Sequence, residues 1–170
     1  MLIRLLQTLI TLCLFASNTV FALPDDQDKP IYITADSASI NDTTGITTYR
    51  GNVIIKQGSL LIEASIVDMY RANGDVDKLV AKGAPAHFRQ QQEVNGDFTD
   101  AWGKHMVYQV NKKELTITQS AKVIQAKDTF TGTKIVYDLD KSIVNAFGST
   151  SANSKEKGRV NMVIQPSKKK

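Results

Sequence analysis

Residues Ile46–Ala64, ITTYRGNVIIKQGSLLIEA, decide the fold class. Val53 and Ile55, then Leu60, Ile62 and Ala64, recur at every second position, β-branched side chains crowd the stretch, and Gly51 and Gly58 interrupt it. A two-residue period places apolar groups on one face of an extended chain, whereas a helix would repeat them at three- and four-residue spacing. Gln57-Gly58 between two such runs reads as a tight turn. The stretch therefore predicts short antiparallel strands with one apolar and one polar face.

The same pattern runs outward in both directions. Candidate strands are Ile31–Ala35, Ala38–Asn41, Ile46–Arg50, Asn52–Lys56, Ser59–Ala64, Ile66–Tyr70, Asp77–Ala81, Ala86–Gln90, Trp102–Val110, Glu114–Gln119, Lys122–Gln125, Thr129–Gly132, Thr133–Leu139, Ser142–Phe147 and Arg159–Gln165. Turn formers separate them, among them Asn41-Asp42-Thr43-Thr44-Gly45, Asn73-Gly74-Asp75, Asn95-Gly96-Asp97 and Asn111-Lys112-Lys113. The predicted fold is all-β. Alternation assigns an inward face carrying Ile31/Ile33, Ala38/Ile40, Val53/Ile55, Leu60/Ile62/Ala64, Val67/Met69, Leu79/Ala81, Ala86/Phe88, Met106/Tyr108/Val110, Leu115/Ile117, Ile135/Tyr137/Leu139, Val144/Ala146 and Val160/Met162/Ile164. Polar residues such as Ser39, Lys56, Asp68, His87, His105, Gln109 and Lys134 take the opposite, wettable face. Sliding the chain by 68 residues lays Ala38 on Met106, Ile40 on Tyr108, Ile55 on Val123, Ile62 on Phe130, Val67 on Ile135 and Met69 on Tyr137. Few of these pairs are identical, so the expectation is a repeated architecture rather than a repeated sequence.

Ahead of this pattern, Arg4 precedes an apolar run from Leu5 to Ala16, and Val20-Phe21-Ala22 offers small residues at the positions a signal peptidase reads. Residues 1–22 are expected to be a cleaved signal peptide, since the run falls short of the roughly 20 residues that span a bilayer. The only cysteine, Cys13, lies inside that leader, which leaves the expected mature chain without disulfides, thiolate chemistry or cysteine metal sites. The expected domain, 23–166, suits one core, and 167–170 is a basic tail. Charge is uneven: Leu23–Ser154 holds 14 basic against 16 acidic residues, and Lys155–Lys170 holds six against one.

Catalytic and metal-binding patterns are sparse. His87 and His105 fall on the outer parity of separate strands, with no nucleophile-elbow sequence, and read as surface histidines. No HxH or HExxH spacing exists, and Asp25-Asp26-Gln27-Asp28 reads as a solvated acidic leader, so no metal site is expected. Asp138 and Asp140 share a strand face, as an acid–base pair would, but Asp140-Lys141 also makes an ordinary turn. Few aromatic residues and no RNA-recognition pattern argue against nucleic acid as a partner. Strands of five or six residues argue against an outer-membrane barrel, which needs about ten residues per strand. Small inward residues, Ala38, Ala64, Ala81, Ala86, Gly132 and Ala146, suit either an ordinary closed core or an interior with room for an apolar ligand.

A further signal lies in the order of several segments: Lys29-Pro30-Ile31-Tyr32-Ile33-Thr34-Ala35-Asp36, Thr48-Tyr49-Arg50-Gly51-Asn52-Val53, Ile62-Glu63-Ala64, Gly83-Ala84-Pro85-Ala86-His87-Phe88, His105-Met106-Val107-Tyr108 and Gly132-Thr133-Lys134-Ile135-Val136-Tyr137. This ordered set resembles the LptA family, periplasmic lipopolysaccharide-transport proteins of the OstA-like type. One departure is Gln119-Ser120-Ala121, where that family often repeats the Gly-Asn pair present at Gly51-Asn52.

The resemblance implies an antiparallel β-jelly roll, a slightly twisted sandwich open at its ends, in the periplasm, with no enzymatic activity and no cofactor. It implies an apolar groove for the acyl chains of lipid A. Ile31, Ile33, Phe88, Tyr108 and Val110 match the family's lipid-lining strands, and Ala38, Ile40, Met106, Ile135 and Tyr137 join them on the inward parity. It also implies head-to-tail self-association, an LptC-like inner-membrane partner at the N-terminal end and an LptD-like outer-membrane partner at the C-terminal end. Val160, Met162 and Ile164 of the last strand are the expected partner interface, a strand stopped by Pro166, which donates nothing to a sheet ladder.

Overall fold

Long strands, not short ones, build the sheet. The computed structural model describes residues 26–91, 96–149 and 158–166, so the expected leader, most of the turn-rich stretch between Gly148 and Gly158, and the tail 167–170 lie outside the described residues. Among the described residues a 3-10 turn, Asp26–Asp28, precedes ten strands: β1 (Tyr32–Thr34), β2 (Ser37–Asn41), β3 (Ile46–Gln57), β4 (Leu60–Ala72), β5 (Asp75–Gln91), β6 (Phe98–Gln109), β7 (Glu114–Gln125), β8 (Asp128–Asp138), β9 (Ile143–Phe147) and β10 (Asn161–Val163). All pairings are antiparallel. The sheet runs from β3 to β8 in chain order, with β1 and β2 end to end along the outer side of β3, and β9 and β10 along the outer side of β8.

The alternation predicts fifteen strands because Gly51, Pro85 and their neighbours read as strand ends. In the structure they are bulges inside continuous strands. The register shifts between Arg50 and Val53, Glu63 and Ile66, Lys82 and Ala86, Trp102 and His105, and Thr118 and Ala121, forming one seam across the sheet. A bulge bends its strand and sharpens the local twist. Five in line crease the sheet into two leaves. Phe88 and Tyr108 prove the crease. Phe88 pairs with Ala101, seven residues before Tyr108 on β6, a separation of about 23 Å in a flat strand. Yet their rings meet edge to face at 5.5 Å. The hydroxyls of Thr99, on one leaf, and Tyr137, on the other, lie 3.4 Å apart and are buried.

The bulges also change the phase of alternation. On β4 the buried residues are Leu60 and Ile62 before the seam and Val67 and Met69 after it; on β5 they are Leu79 and Ala81, then Ala86 and Phe88. Each extra residue flips the side-chain parity, so both leaves keep their apolar face on the concave side. The core cluster draws from every strand between β3 and β8.

The architecture repeats. Shifted by 68 residues, β3 falls on β7 from end to end and β4 begins where β8 begins. Val53↔Ala64 becomes Ala121↔Gly132, and Arg50↔Ile66 becomes Thr118↔Lys134. Ile40↔Thr47 likewise becomes Tyr108↔Leu115. The left-handed backbone at Gly51 (φ 75°) and Asn52 (φ 44°) recurs at Gln119 (φ 63°) and Ser120 (φ 65°). The departure from the family's Gly-Asn pair thus changes side chains and leaves the bulge in place.

Strand length therefore gives no argument against a membrane barrel. The sheet itself does, because its first and last strands are not paired with each other and it stays open. The observed sheet is antiparallel, twisted and unclosed, as expected.

Candidate functional site

The free ends of the two leaves enclose a cavity of about 570 Å³. One lip is the β3–β4 turn with Gln57 and Leu60; the other is formed by Arg71–Val76, between β4 and β5, and by Val110 and Asn111 after β6. Ile31, Ile55, Leu79 and Tyr108 line the cavity between them. The strand ends bring these residues together because the crease folds the sheet so that turns far apart along the chain face each other.

The 3-10 turn crosses from lip to lip. Asp26 accepts hydrogen bonds from the Ser59 backbone N–H at 2.8 Å, the Ser59 hydroxyl at 2.6 Å and the Gln90 amide at 2.8 Å. Gln27 then donates its side-chain amide to the Val110 carbonyl at 2.8 Å, on the opposite lip. The Gln57 amide donates to the carbonyls of Gln27 (3.1 Å) and Lys29 (3.0 Å). This corrects the reading of Asp26 and Gln27 as part of a solvated leader. An acidic run carries no sign of its partners when they lie 30 to 83 positions away in the sequence.

The expected groove residues divide into three groups. Ile31, Tyr108 and Val110 line the cavity, and Ile33 packs half-buried against the core. Phe88, Met106, Ile135 and Tyr137 are buried against one another and against their neighbours, so the middle of the interior is filled by side chains. Ala38 and Ile40 share the inward parity, Ile40 sitting opposite buried Thr47, but both stand exposed because β2 lies at the edge, with no further described strand beyond it. Alternation assigns the face of a residue; it carries no information about what covers that face.

At the other end, β10 is shorter than the expected Arg159–Gln165. Met162 stands opposite Phe130, and both Met162 and Ile164 are exposed while Val160 is half-buried. Ile143 and Phe147 of β9 are exposed beside them. Both edges of the open sheet thus present apolar side chains to solvent.

The convex face is polar, with one organised cluster. His87 holds Glu63 through Nδ1 at 3.1 Å and Asp100 through Nε2 at 2.7 Å, and its ring stacks on Trp102 with centroids 5.0 Å apart. The parity expected of His87 is right, but its ring is mostly covered and clamps β4, β5 and β6 together. With one carboxylate on each ring nitrogen, the three groups do not converge on a common point. Among the described residues no three His, Cys, Asp or Glu side chains gather as metal ligands. Asp138 accepts from the Lys141 backbone at 3.0 Å and from its ammonium at 2.8 Å. That contact holds the Asp138 carboxyl below the ordinary carboxylate range and raises Lys141. Asp140 lies 3.8 Å from Lys113. The two carboxylates serve a turn, as the alternative reading has it.

Sequence comparisons point the same way as the geometry. The sequence model of the family described as "LptA/(LptD N-terminal domain) LPS transport protein" matches residues 32–143. The chain is 39% identical over 155 residues to the lipopolysaccharide export system protein LptH of Pseudomonas aeruginosa, a match spanning 90% of this chain and 89% of that protein. It is 34% identical over 157 residues to the lipopolysaccharide export system protein LptA of Escherichia coli K12, spanning 91% and 80%. The crystal structure of P. aeruginosa LptH, described as the LptA-homologous periplasmic component of the conserved lipopolysaccharide transport device, superposes with a TM-score of 0.77 at 36% identity, covering 84% of this chain and all of that one.

Proposed function

The chain belongs to the LptA/LptD N-terminal-domain family of lipopolysaccharide transport proteins, and from that premise we propose that it is a non-enzymatic periplasmic carrier of lipopolysaccharide. The observation that carries this reading is the largely apolar concave face of an unclosed sheet, interrupted among the described residues by buried Thr47 and Thr99 and ending in a cavity between the lips. Each acyl methylene in water costs roughly 0.8 kcal/mol, so one chain of about a dozen carbons faces around 10 kcal/mol. A lipid with several such chains crosses an aqueous compartment only under cover. The acyl chains enter between the lips beside Ile31, Tyr108 and Val110, and passage along Ile33, Phe88, Met106, Ile135 and Tyr137 requires the leaves to part. Ala38 and Ile40, on the same face, continue the path at the N-terminal edge.

The open edges supply the rest of the proposal. Unpaired strand edges are templates for a further strand. Head-to-tail contacts that do not close give a filament, so copies of this chain extend both sheet and groove. The edge at β1 and β2 faces an LptC-like inner-membrane partner, and Val160, Met162 and Ile164 face an LptD-like outer-membrane partner. A chain ending at Gly158 keeps its β3–β8 core. It is expected to remain folded by circular dichroism while losing concentration-dependent association in the ultracentrifuge.

The deciding experiment places a photo-crosslinking residue at Ile31, Tyr108 or Val110 and, on the convex face, at His87, His105 or Gln109. Lipopolysaccharide adducts in cells are expected from the first set alone. Equal labelling from both sets would overturn the carrier reading.

A further inference from the structure

Two cations occupy the cavity lining, on opposite lips. Lys29 is fixed by its backbone: its N–H donates to the Asp26 carbonyl at 3.0 Å and its carbonyl accepts from Gln57 at 3.0 Å. Arg71, at the bulge that ends β4, donates its backbone N–H to the Gly45 carbonyl at 3.0 Å. Neither side chain forms an ion pair among the described residues. Asp75 is the one carboxylate among the lining residues, so the lining carries a net positive charge, above walls formed by Ile55, Leu79 and Tyr108. At about 570 Å³ the cavity lies in the 300–1,000 Å³ range of small-ligand sites, and its lining sets charged and polar groups beside apolar walls.

Resting on the carrier reading, we infer that Lys29 and Arg71 bind a phosphate of the lipid A head group at the mouth of the cavity while an acyl chain occupies its interior. Cations on the rim meet the anionic head, and the walls meet the hydrocarbon. The guanidinium of Arg71 offers paired donors matched to phosphate oxygens, and the ammonium of Lys29 adds a point charge from the other lip. The two side chains are exposed before ligand arrives. Recognition by them is accordingly sensitive to salt.

The test uses the full mature chain, unaltered and as Lys29→Gln/Arg71→Gln, with Lys104→Gln/Lys127→Gln as a charge-matched control on exposed positions away from the cavity. Binding is measured by calorimetry to lipopolysaccharide and to the same material stripped of its phosphates with hydrofluoric acid. At about 0.1 M salt the unaltered chain and the control are expected to favour the phosphorylated lipid about five- to tenfold, the range of two partly exposed charge contacts. The Lys29/Arg71 variant is expected to bind both lipids alike, and the preference is expected to vanish near 1 M salt, where the screening length is about 3 Å. Equal binding of the two lipids by the unaltered chain, or an undiminished preference in the variant, overturns this inference and leaves the carrier reading standing. Failure of the unaltered chain to bind either lipid overturns both.

Discussion

The two copies of the repeat share a backbone and differ in what surrounds it. Ile40 and Tyr108 occupy the same place, opposite Thr47 and Leu115 in matching registers. Yet Ile40 is 69% exposed and Tyr108 is 4% exposed. The difference lies in their neighbours. Tyr108 sits on β6, flanked by β5 and β7, whereas Ile40 sits on β2, which among the described strands is paired with β3 alone. In the first copy the outer strand is also split, with Asp36 between β1 and β2, while the matching β6 runs unbroken through Lys104. Register and bulge spacing therefore specify the repeat, and position in the sheet decides whether a given side chain stabilises the fold or stands free for another molecule.

An aspartate at each member of that pair gives the largest contrast. Tyr108→Asp removes a buried aromatic, worth about 3–5 kcal/mol, and leaves a charge without a partner in the core. That loss is comparable to the whole stability of a typical domain, so the variant is expected to be unfolded at 25 °C by near-ultraviolet circular dichroism. Ile40→Asp is expected to change stability by no more than about 0.5 kcal/mol, while weakening self-association in the ultracentrifuge. Equal destabilisation would show that β2 is covered in solution and would break the comparison.

The bulge residues give the next effect. A Cβ at Gly51 would run into the Asp36 carboxylate, and the backbone there is left-handed. Gly51→Val is expected to cost about 3 kcal/mol, lowering Tm by about 6–12 °C. Gln119 already bears a side chain in the same conformation, so Gln119→Val is expected to cost only about 1 kcal/mol. Thermal melts of the two variants side by side measure the difference. In the other direction, Gln119→Gly relieves the left-handed strain and is expected to stabilise by about 0.5–1 kcal/mol, net of the greater freedom it gives the unfolded chain. A higher urea midpoint at unchanged slope would register it.

The smallest effect concerns the strand ends, where Tyr70, with Lys78 over its ring at 4.0 Å, corresponds to Asp138, with Lys141 at 2.8 Å. The Asp138 carboxyl is held below its ordinary range, first by the hydrogen bond from the Lys141 side chain. Its contribution is therefore present above the unfolded carboxylate pKa and is lost as pH falls through the folded one. Lys141, raised by the same contact, contributes fully below its unfolded pKa and loses that contribution as pH rises through the folded one. Asp138→Asn is expected to leave the melt at neutral pH within error and to flatten slightly the loss of stability below about pH 5. No such flattening is expected of Tyr70→Phe.

The faces of the strands were legible in the sequence because burial on one side imposes a two-residue period. Val53, Ile55, Leu60, Ile62, Val67, Met69, Leu79, Ala81, Ala86 and Phe88 are all in the core where alternation puts them. The 68-residue shift was legible for the same reason. Continuity through the seam was not, since a Gly-Asn pair in left-handed backbone has the same local signature in a bulge as in a turn, and only the partner strand distinguishes them. Nor was the role of Gln27, whose carbonyl and amide contacts reach residues 30 and 83 positions away. The exposure of Ile40 and the burial of Tyr108 share one alternation pattern, and the pattern has no term for the number of neighbouring strands.

The seam makes the molecule a hinge with several pins on one axle. Each of the strands β3 to β8 passes through the crease without a break, so the leaves are joined by six parallel spans of backbone rather than by a flexible linker. No single span swings alone, because ladder hydrogen bonds tie it to its neighbours on both sides of the axle. A bend at one bulge is therefore shared with the neighbouring strands along the whole seam.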